Sequence, residues 1–199
     1  YYISRLASKF VKVCLQGTGG DELYGGYPWR YYRIFDSINQ GQFFDQYYDF
    51  WQRLVPDADK GDLFTSKVTF KEKYNPRQTF ENVFLFNKKL SYDTPEQHIN
   101  NSLYFEIKTF LPGLLLVGDK LSMANGLEER FPFLDNDLVN FAQKIPVRHK
   151  LADLEKMKRI DENQFGSKKK AYAEHKDGKN VLRKAMEDFI PKSILELSL

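Results

Sequence analysis

Residues 16–27, Gln16-Gly-Thr-Gly-Gly-Asp-Glu-Leu-Tyr-Gly-Gly-Tyr27, combine a glycine-rich loop with two acidic side chains. Glycine lets the backbone take positive φ values and approach a ligand closely, while free N–H groups and the dipole of a following helix attract phosphate. An acid beside such a loop would repel phosphate unless a divalent cation lay between them, as Mg²⁺ does. The segment therefore predicts a nucleotide loop with Asp21 as a candidate Mg²⁺ ligand. The alternative is a hairpin or helix start in which Asp21 only caps.

Neither of the two common nucleotide-loop motifs is present. The P-loop motif needs a Gly-Lys-Ser/Thr triplet, which the sequence lacks, and the dinucleotide motif G-x-G-x-x-G fails because Glu22 stands where the third glycine should be. The loop is therefore of another type.

The elements around this loop are predicted from local patterns. Val11, Val13 and Leu15 alternate with other residues and stop at the glycines, which is typical of a strand, and we expect one clear β-strand at 11–16. Thr18 and Asp21 have the spacing of a capping box, so a helix should begin there. A single strand leaves backbone groups unpaired, and the rest of the chain shows no second convincing strand. The missing strands are expected from an upstream part of the protein or from another copy.

The remainder of the chain favours a helical bundle. An apolar face formed by Ile3, Leu6, Ala7 and Phe10 predicts a helix before the strand. Helical periodicity or start signals predict further helices over residues 42–54, 64–74, 76–90, 94–112, 114–129, 135–146 and 181–189. The helix over 42–54 has an aromatic stripe typical of a core, and the helix over 114–129 is expected to be buried. No second histidine stands at the spacing from His98 that a metal site requires. We therefore expect His98 to be a surface residue or a hydrogen-bonded residue.

Composition narrows the classes of protein. A hydrophobic content of 42% and an aromatic content of 16% fit a folded chain of 199 residues, and we expect a single domain over 1–199 with a flexible basic loop at 155–180. Thirty basic against 27 acidic residues is too balanced to require nucleic acid or a membrane as a partner. The single cysteine, Cys14, excludes an internal disulfide and fits a cytoplasmic protein.

Three blocks carry a resemblance to a known family. Residues 16–27 resemble the S-G-[DE]-G-[GS]-D-E-L-F-G-G-Y segment of glutamine-dependent asparagine synthetases. Residues 121–135 resemble that family's D-R-x-S-M-A-x-S-L-E-x-R-x-P-F-L-D block, and residues 179–192 its K-x-x-L-R-K-A-x-x-x-x-[IL]-P-K helix. Because the blocks occur in the family's order, the chain is identified as similar to the C-terminal synthetase domain, truncated at both ends.

The resemblance implies a fold, a reaction and cofactors. The fold would be a predominantly α-helical fragment of an α/β domain of the PP-loop, adenine nucleotide alpha hydrolase-like type. The reaction would be that of an ATP-dependent ligase and amidotransferase, in which ATP adenylates aspartate and ammonia, derived from glutamine in the parent enzyme, attacks the acyl-adenylate. ATP and Mg²⁺ are the implied cofactors.

Matching motif positions imply roles for individual residues. Asp21 would be the Mg²⁺ ligand, and Gln16, Gly17 and Gly19 would bind the nucleotide. Thr18 stands at the catalytic position where the family has an acid, and a hydroxyl without a nearby base cannot accept a proton at neutral pH.

Two further parts of the family pattern are absent from this sequence, namely the S-G-G-x-D-S loop and the R-x-K segment after the last helix. We therefore expect the isolated chain to be inactive and to depend on an N-terminal half. The alternative is a non-catalytic remnant that acts as a helical homodimeric interaction module.

Overall fold

A computed structural model describes residues 1–52, 54–63, 75–152 and 178–195. The chain forms two compact units, one of Tyr1–Pro28 with Leu103–Leu199 and the other of Trp29–Ser102. The single domain over 1–199 stays a prediction, and most of the predicted loop at 155–180 lies outside the described residues. So does the whole of the predicted helix at 64–74.

Helices make up most of the described structure, as predicted. The α-helices are α1 (Tyr2–Ala7), α2 (Gly20–Tyr24), α3 (Pro28–Phe35), α4 (Gln40–Trp51), α5 (Lys60–Leu63), α6 (Pro76–Leu85), α7 (Pro95–Phe105), α8 (Leu111–Met123), α9 (Asn136–Lys144), α10 (Val147–Lys150), α11 (Asn180–Ala185) and α12 (Lys192–Leu195). Short 3₁₀ turns lie at Asp57–Asp59 and Pro132–Leu134.

The prediction of a single strand was wrong in one respect. Strand β1 (Val13–Leu15) pairs in parallel with β2 (Glu128–Arg130), in a register that places Cys14 opposite Glu129. The strand β2 replaces the end of the helix expected at 114–129. Its sequence, Glu-Glu-Arg, has no apolar alternation, so local pattern could not reveal it.

One edge of β1 remains open. The N–H of Gln16 donates to the carbonyl of Arg130, and the carbonyl of Lys12 accepts from Glu128. In a parallel sheet, the backbone N–H and carbonyl groups of every second residue point to the same neighbouring strand. The backbone groups of the even-numbered residues of β1 therefore point to β2. The backbone groups of Val13 and Leu15 therefore point to the opposite edge, where the described residues provide no strand.

The segment from α7 to α8 is continuous, whereas we predicted a helix end near Pro112. The predicted start is confirmed, because the Thr94 hydroxyl accepts from the Gln97 N–H and the Gln97 side chain accepts from the Thr94 N–H. Residues Glu106–Phe110 then form a π-helical turn in which the Leu111 N–H donates to the Glu106 carbonyl, and Pro112 follows directly in α8.

The second unit has the aromatic core that the sequence predicted. Its side chains pack in edge-to-face, tilted and stacked pairs with ring centroids 5.2 to 6.5 Å apart. The buried members from α4 and α6 are Phe43, Phe44, Tyr47, Tyr48, Phe50, Phe80 and Phe84. Leu54, the last residue of the helix predicted over 42–54, is exposed. His98 is buried against Phe43, and its Nε2 lies 3.1 Å from the Tyr92 carbonyl, so the hydrogen-bonded alternative is confirmed.

The first unit exposes much apolar surface around β1. The face of α1 that periodicity assigned to packing is open, with Ile3 85% and Leu6 59% exposed. The helix α8, which we expected to be buried, exposes Leu116 and Val117. Within the described ranges, no helix has the length and apolar character that crossing a bilayer requires.

Candidate functional site

The glycine loop turns directly from β1 into α2. Gly19 is the residue before the helix and has a φ of 97°, a left-handed conformation that favours glycine. A Cβ at this position would lie 2.4 Å from the Leu134 Cδ2 atom. The prediction that Thr18 caps the helix was wrong, because Thr18 directs its hydroxyl to the Gln16 side chain instead.

The short helix α2 is fixed by a small apolar core. Leu23, Tyr24 and Ala142 are buried together, and the partly buried Leu134 and Val181 pack against them. This core draws its members from α2, α9, α11 and the 3₁₀ turn between β2 and α9. The second and third family-like blocks thus hold the loop of the first block in place.

Asp21 lies beside Lys179, a residue far away in the sequence. The Lys179 Nζ is 2.8 Å from the Asp21 Oδ1, and both side chains are mostly buried. The backbone makes room for this pair, because a Cβ at Gly26 would lie 1.7 Å from the Asp21 Oδ1 and 2.7 Å from the Lys179 Cε. The charge of Asp21 is therefore compensated by a lysine within the chain.

Gln16, Thr18 and Glu129 form a chain of hydrogen bonds. The Thr18 hydroxyl donates to the Gln16 Oε1 at 3.3 Å, and the Gln16 Nε2 donates to the Glu129 Oε1 at 2.5 Å. The second carboxylate oxygen of Glu129, Oε2, is buried and has no hydrogen-bond partner among the described residues. It faces Gly118 of α8, where a Cβ would lie 2.9 Å from it.

The N–H groups of residues 17–19 are available to a ligand. In the described structure none of Gly17, Thr18 and Gly19 donates its N–H to another residue, whereas the N–H of Gln16 is bonded to Arg130. A Cβ at Gly17 would meet nothing within 4 Å, so the space beside it is open. Consecutive free N–H groups in a tight turn can bind an anion.

The other acidic residues near the loop have structural partners. Glu22 is buried and accepts a hydrogen bond of 2.9 Å from the Tyr27 hydroxyl. Glu128 forms an exposed ion pair with Arg130 at 2.7 Å. Neither acid is a free ligand.

A buried lysine lies under the far end of the loop. Lys150 is 3% exposed, its Cβ lies 3.8 Å from where a Cβ would stand at Gly25, and no partner for its ammonium group occurs in the described ranges. Burial lowers the pKa of Lys150 to about 8, because desolvation disfavours the charged form. Periodicity alone gave no signal for this residue.

The structure brings together some of the predicted site residues. Gln16 and Thr18 contact each other, Gly17 and Gly19 flank them with free N–H groups, and Asp21 follows one turn later, paired with Lys179. In the part of the chain that is described, no three or more His, Cys, Asp or Glu side chains cluster as a metal site would require. The Mg²⁺ role of Asp21 and the nucleotide roles stay predictions.

Sequence reasoning missed Glu129 and the role of Lys179. Lys179 opens the third family-like block and follows Gly178, which packs closely on the Gly25 carbonyl, so its position was visible but its partner was not. Glu129 stands at a variable position of the second block, and only the pairing of β1 with β2 places it beside Gln16.

Comparison with known proteins gives a consistent result. A sequence profile described as asparagine synthase matches residues 1–197. Asparagine synthetase [glutamine-hydrolyzing] 1 of Bacillus subtilis is 29% identical over 98% of this chain and 31% of its own length. Asparagine synthetase [glutamine-hydrolyzing] 3 of the same organism is 27% identical over 98% of this chain and 26% of its own length.

A more distant match is Amidase chry2 of Gibberella zeae, 26% identical over 50% of this chain and 13% of its own length. No solved structure matches. The chain spans less than a third of the length of these relatives.

Proposed function

Because this chain belongs to the asparagine synthase family, we propose that it is part of an ATP-dependent amide-forming domain. In that reaction ATP adenylates the side-chain carboxylate of aspartate, and ammonia then displaces AMP. The observation that carries the proposal is the loop of residues 17–19, whose three consecutive N–H groups have no acceptor among the described residues and lie beside open space at Gly17. Such a loop suits a phosphate group.

Each residue of the loop has a proposed task. Gly17 and Gly19 would bind the nucleotide. Gln16 would contribute through its backbone carbonyl, because its N–H already donates to the Arg130 carbonyl in the sheet. Asp21 fits Mg²⁺ by the hardness of its carboxylate oxygens, and a single protein carboxylate with phosphate oxygens is a usual Mg²⁺ environment. Bound Mg²⁺ would neutralise charge on the departing pyrophosphate. Lys179 compensates Asp21 when no metal is bound.

The relatives are far longer than this chain, so the complete reaction is proposed for a larger assembly and not for these residues alone. Thr18 cannot itself take a proton from ammonia, because a hydroxyl needs an adjacent base. Since adenylation is assigned to the larger assembly as well, we expect binding of Mg²⁺-ATP by the isolated chain but no exchange of pyrophosphate into ATP with aspartate present.

Isothermal titration of the chain with Mg²⁺-ATP tests the proposal. We expect millimolar or tighter binding, weakened about tenfold or more by Asp21→Ala and unchanged by Asp137→Ala, an exposed aspartate of α9. Lys179→Met removes the partner of Asp21 but keeps its carboxylate, so this variant should retain binding. Absence of binding by the folded wild-type chain would overturn the proposal, as would equal losses in the two aspartate variants.

The open edge of β1 supports a second candidate, a homodimeric interaction module. Among the described residues, the backbone groups of Val13 and Leu15 at the open edge have no partner, and the preceding helix α1 has an exposed apolar face. An edge of this kind can pair with a strand of another chain. Sedimentation of the wild-type chain tests this candidate against Val13→Pro. The proline removes an N–H that faces away from β2, so it should leave the sheet intact and abolish a dimer. A monomeric wild-type chain excludes the candidate.

A further inference from the structure

We propose that Glu129 supplies the carboxylate that this chain lacks at position 18. The inference rests on the proposed function, because it assigns to Glu129 the task of accepting the proton that ammonia loses on attacking the acyl-adenylate. In that step a C–N bond forms, the C–O bond to the phosphate breaks, AMP leaves with the electron pair, and the proton passes to the Glu129 Oε2. Gln16 and Thr18 are positioning residues.

The pairing of β1 with β2 brings Glu129 to the loop. Glu129 lies opposite Cys14 in the parallel register, so its side chain is on the face of the sheet that Gln16 also occupies. The Gln16 amide then links the two positions, since it accepts from the Thr18 hydroxyl and donates to the Glu129 Oε1. One amide group thus separates the Thr18 side chain from the carboxylate.

The carboxylate has an unused oxygen at this place. Buried carboxylate oxygens normally accept hydrogen bonds, yet the Glu129 Oε2 is buried without a partner in the described structure. Gly118 provides its space, because any larger residue there would put a Cβ 2.9 Å from Oε2. The Gln16 amide thus holds Oε1, and Oε2 is an unused acceptor in the described structure. To pass a proton to Oε2, the substrate must enter the space beside Gln16 and Gly118.

The neighbouring acid on the same strand does not fit this role. Glu128 projects to the other face of the sheet, is exposed, and has its carboxylate bound by the Arg130 guanidinium. It therefore serves as a matched control for Glu129.

A thermal double-mutant cycle in the intact chain tests the inference. If Glu129 occupies the place of the family's acid, then Thr18→Glu puts two carboxylates together, and their repulsion should lower the Tm at pH 7.5 and low salt by about 3 °C or more. In a Glu129→Gln background, where Gln keeps the acceptor for Gln16 without the charge, the same change should cost less than half of that shift. In a Glu128→Gln background the full shift should remain.

The outcomes separate this inference from the proposed function. Equal Tm shifts for Thr18→Glu in all three backgrounds would overturn the role of Glu129, whether or not Mg²⁺-ATP binds. If Thr18→Glu alone fails to fold, folding of Thr18→Glu/Glu129→Gln supports the inference, and failure of both variants overturns it. If the Tm shift of Thr18→Glu depends on Glu129 but the chain does not bind Mg²⁺-ATP, the position of the Glu129 carboxylate is supported and the nucleotide site is refuted.

Discussion

The ammonium group of Lys179 lies 2.8 Å from the carboxylate of Asp21, so the glycine loop is tied to the segment that begins α11. The side chains are 17% and 27% exposed, which places the pair between a surface and a buried ion pair. Lys179 also has a φ of 58°, unusual for a residue with a side chain, and its N–H donates to the Tyr24 carbonyl. The contact thus holds two distant parts of the chain in a fixed arrangement.

Loss of this ion pair should destabilise the protein measurably. We expect Lys179→Met to lower the free energy of unfolding by about 1–2 kcal/mol, because a partly buried Asp21 is left without its counter-charge. Lys179→Gly should lose about 0.5–1 kcal/mol less than Lys179→Met, since glycine tolerates the positive φ. Urea unfolding gives both values, with Lys184→Met on the exposed face of α11 as the control. A Lys179→Met variant as stable as this control would show that the pair contributes nothing.

Substitution of two glycines of this segment by alanine should have different effects on stability. Gly26→Ala places a Cβ 1.7 Å from the Asp21 Oδ1 and should cost about 2 kcal/mol or more through displacement of the Asp21–Lys179 pair. Gly17→Ala meets nothing within 4 Å and should leave thermal stability within about 1 °C of the wild type. Differential scanning calorimetry distinguishes them. If Gly17→Ala folds normally, any loss of Mg²⁺-ATP binding in that variant results from a lost contact between the loop and the ligand and not from unfolding.

The sequence predicted elements whose signals are local. The helix starts predicted at 94 and 135 and the aromatic core stripe of α4 were confirmed, because each depends on residues a few positions apart. The strand β2 was missed because its stability comes from pairing with β1, over a hundred residues earlier, and its own residues are charged. The burial of α8 was mispredicted because apolar content does not show which face is covered.

The same distinction holds for the candidate site. The glycine loop and Asp21 were indicated by local pattern, since loop conformation is encoded locally, and the family resemblance added Gln16. Their roles stay predictions. Glu129 and Lys179 reach the loop only through tertiary structure, one across the sheet and the other through the packing of α11. The cap assigned to Thr18 failed because its hydroxyl prefers the Gln16 amide, a partner that exists only once Gln16 is oriented by Glu129.

The two glycines of α8 give a test of the packing around Glu129. Glycine within a helix normally costs about 0.5–1 kcal/mol relative to alanine, so Gly113→Ala, with open space at its Cβ, should stabilise by about that amount. Gly118→Ala should gain nothing or destabilise, because the new Cβ displaces the Glu129 Oε2 and strains the bond to Gln16. Combining Gly118→Ala with Glu129→Ala should recover the helix benefit. Equal stabilisation by both single variants in chemical unfolding would contradict the position of that carboxylate.

The buried Lys150 predicts a dependence of stability on pH. Its pKa is about 8 in the folded protein and about 10.5 in an unfolded chain, so between these values the unfolded state binds more protons. Stability should therefore rise as pH increases from about 8 to 10.5, and the cost of the buried charge is fully present below pH 8. Lys150→Met removes this cost, and we expect it to raise the free energy of unfolding at pH 7 by about 2 kcal/mol.

Urea unfolding at pH 7 and pH 9.5 checks both parts of this prediction. The wild type should gain stability between the two pH values relative to Lys150→Met, whereas Lys144→Met, which replaces an exposed lysine in the last turn of α9, should follow the wild type. The sign is decisive, because a lysine stabilised by a counter-charge would have a raised pKa and its removal would destabilise the protein at pH 7. A less stable Lys150→Met variant would therefore show that the ammonium group of Lys150 is paired, and a more stable one that it is desolvated.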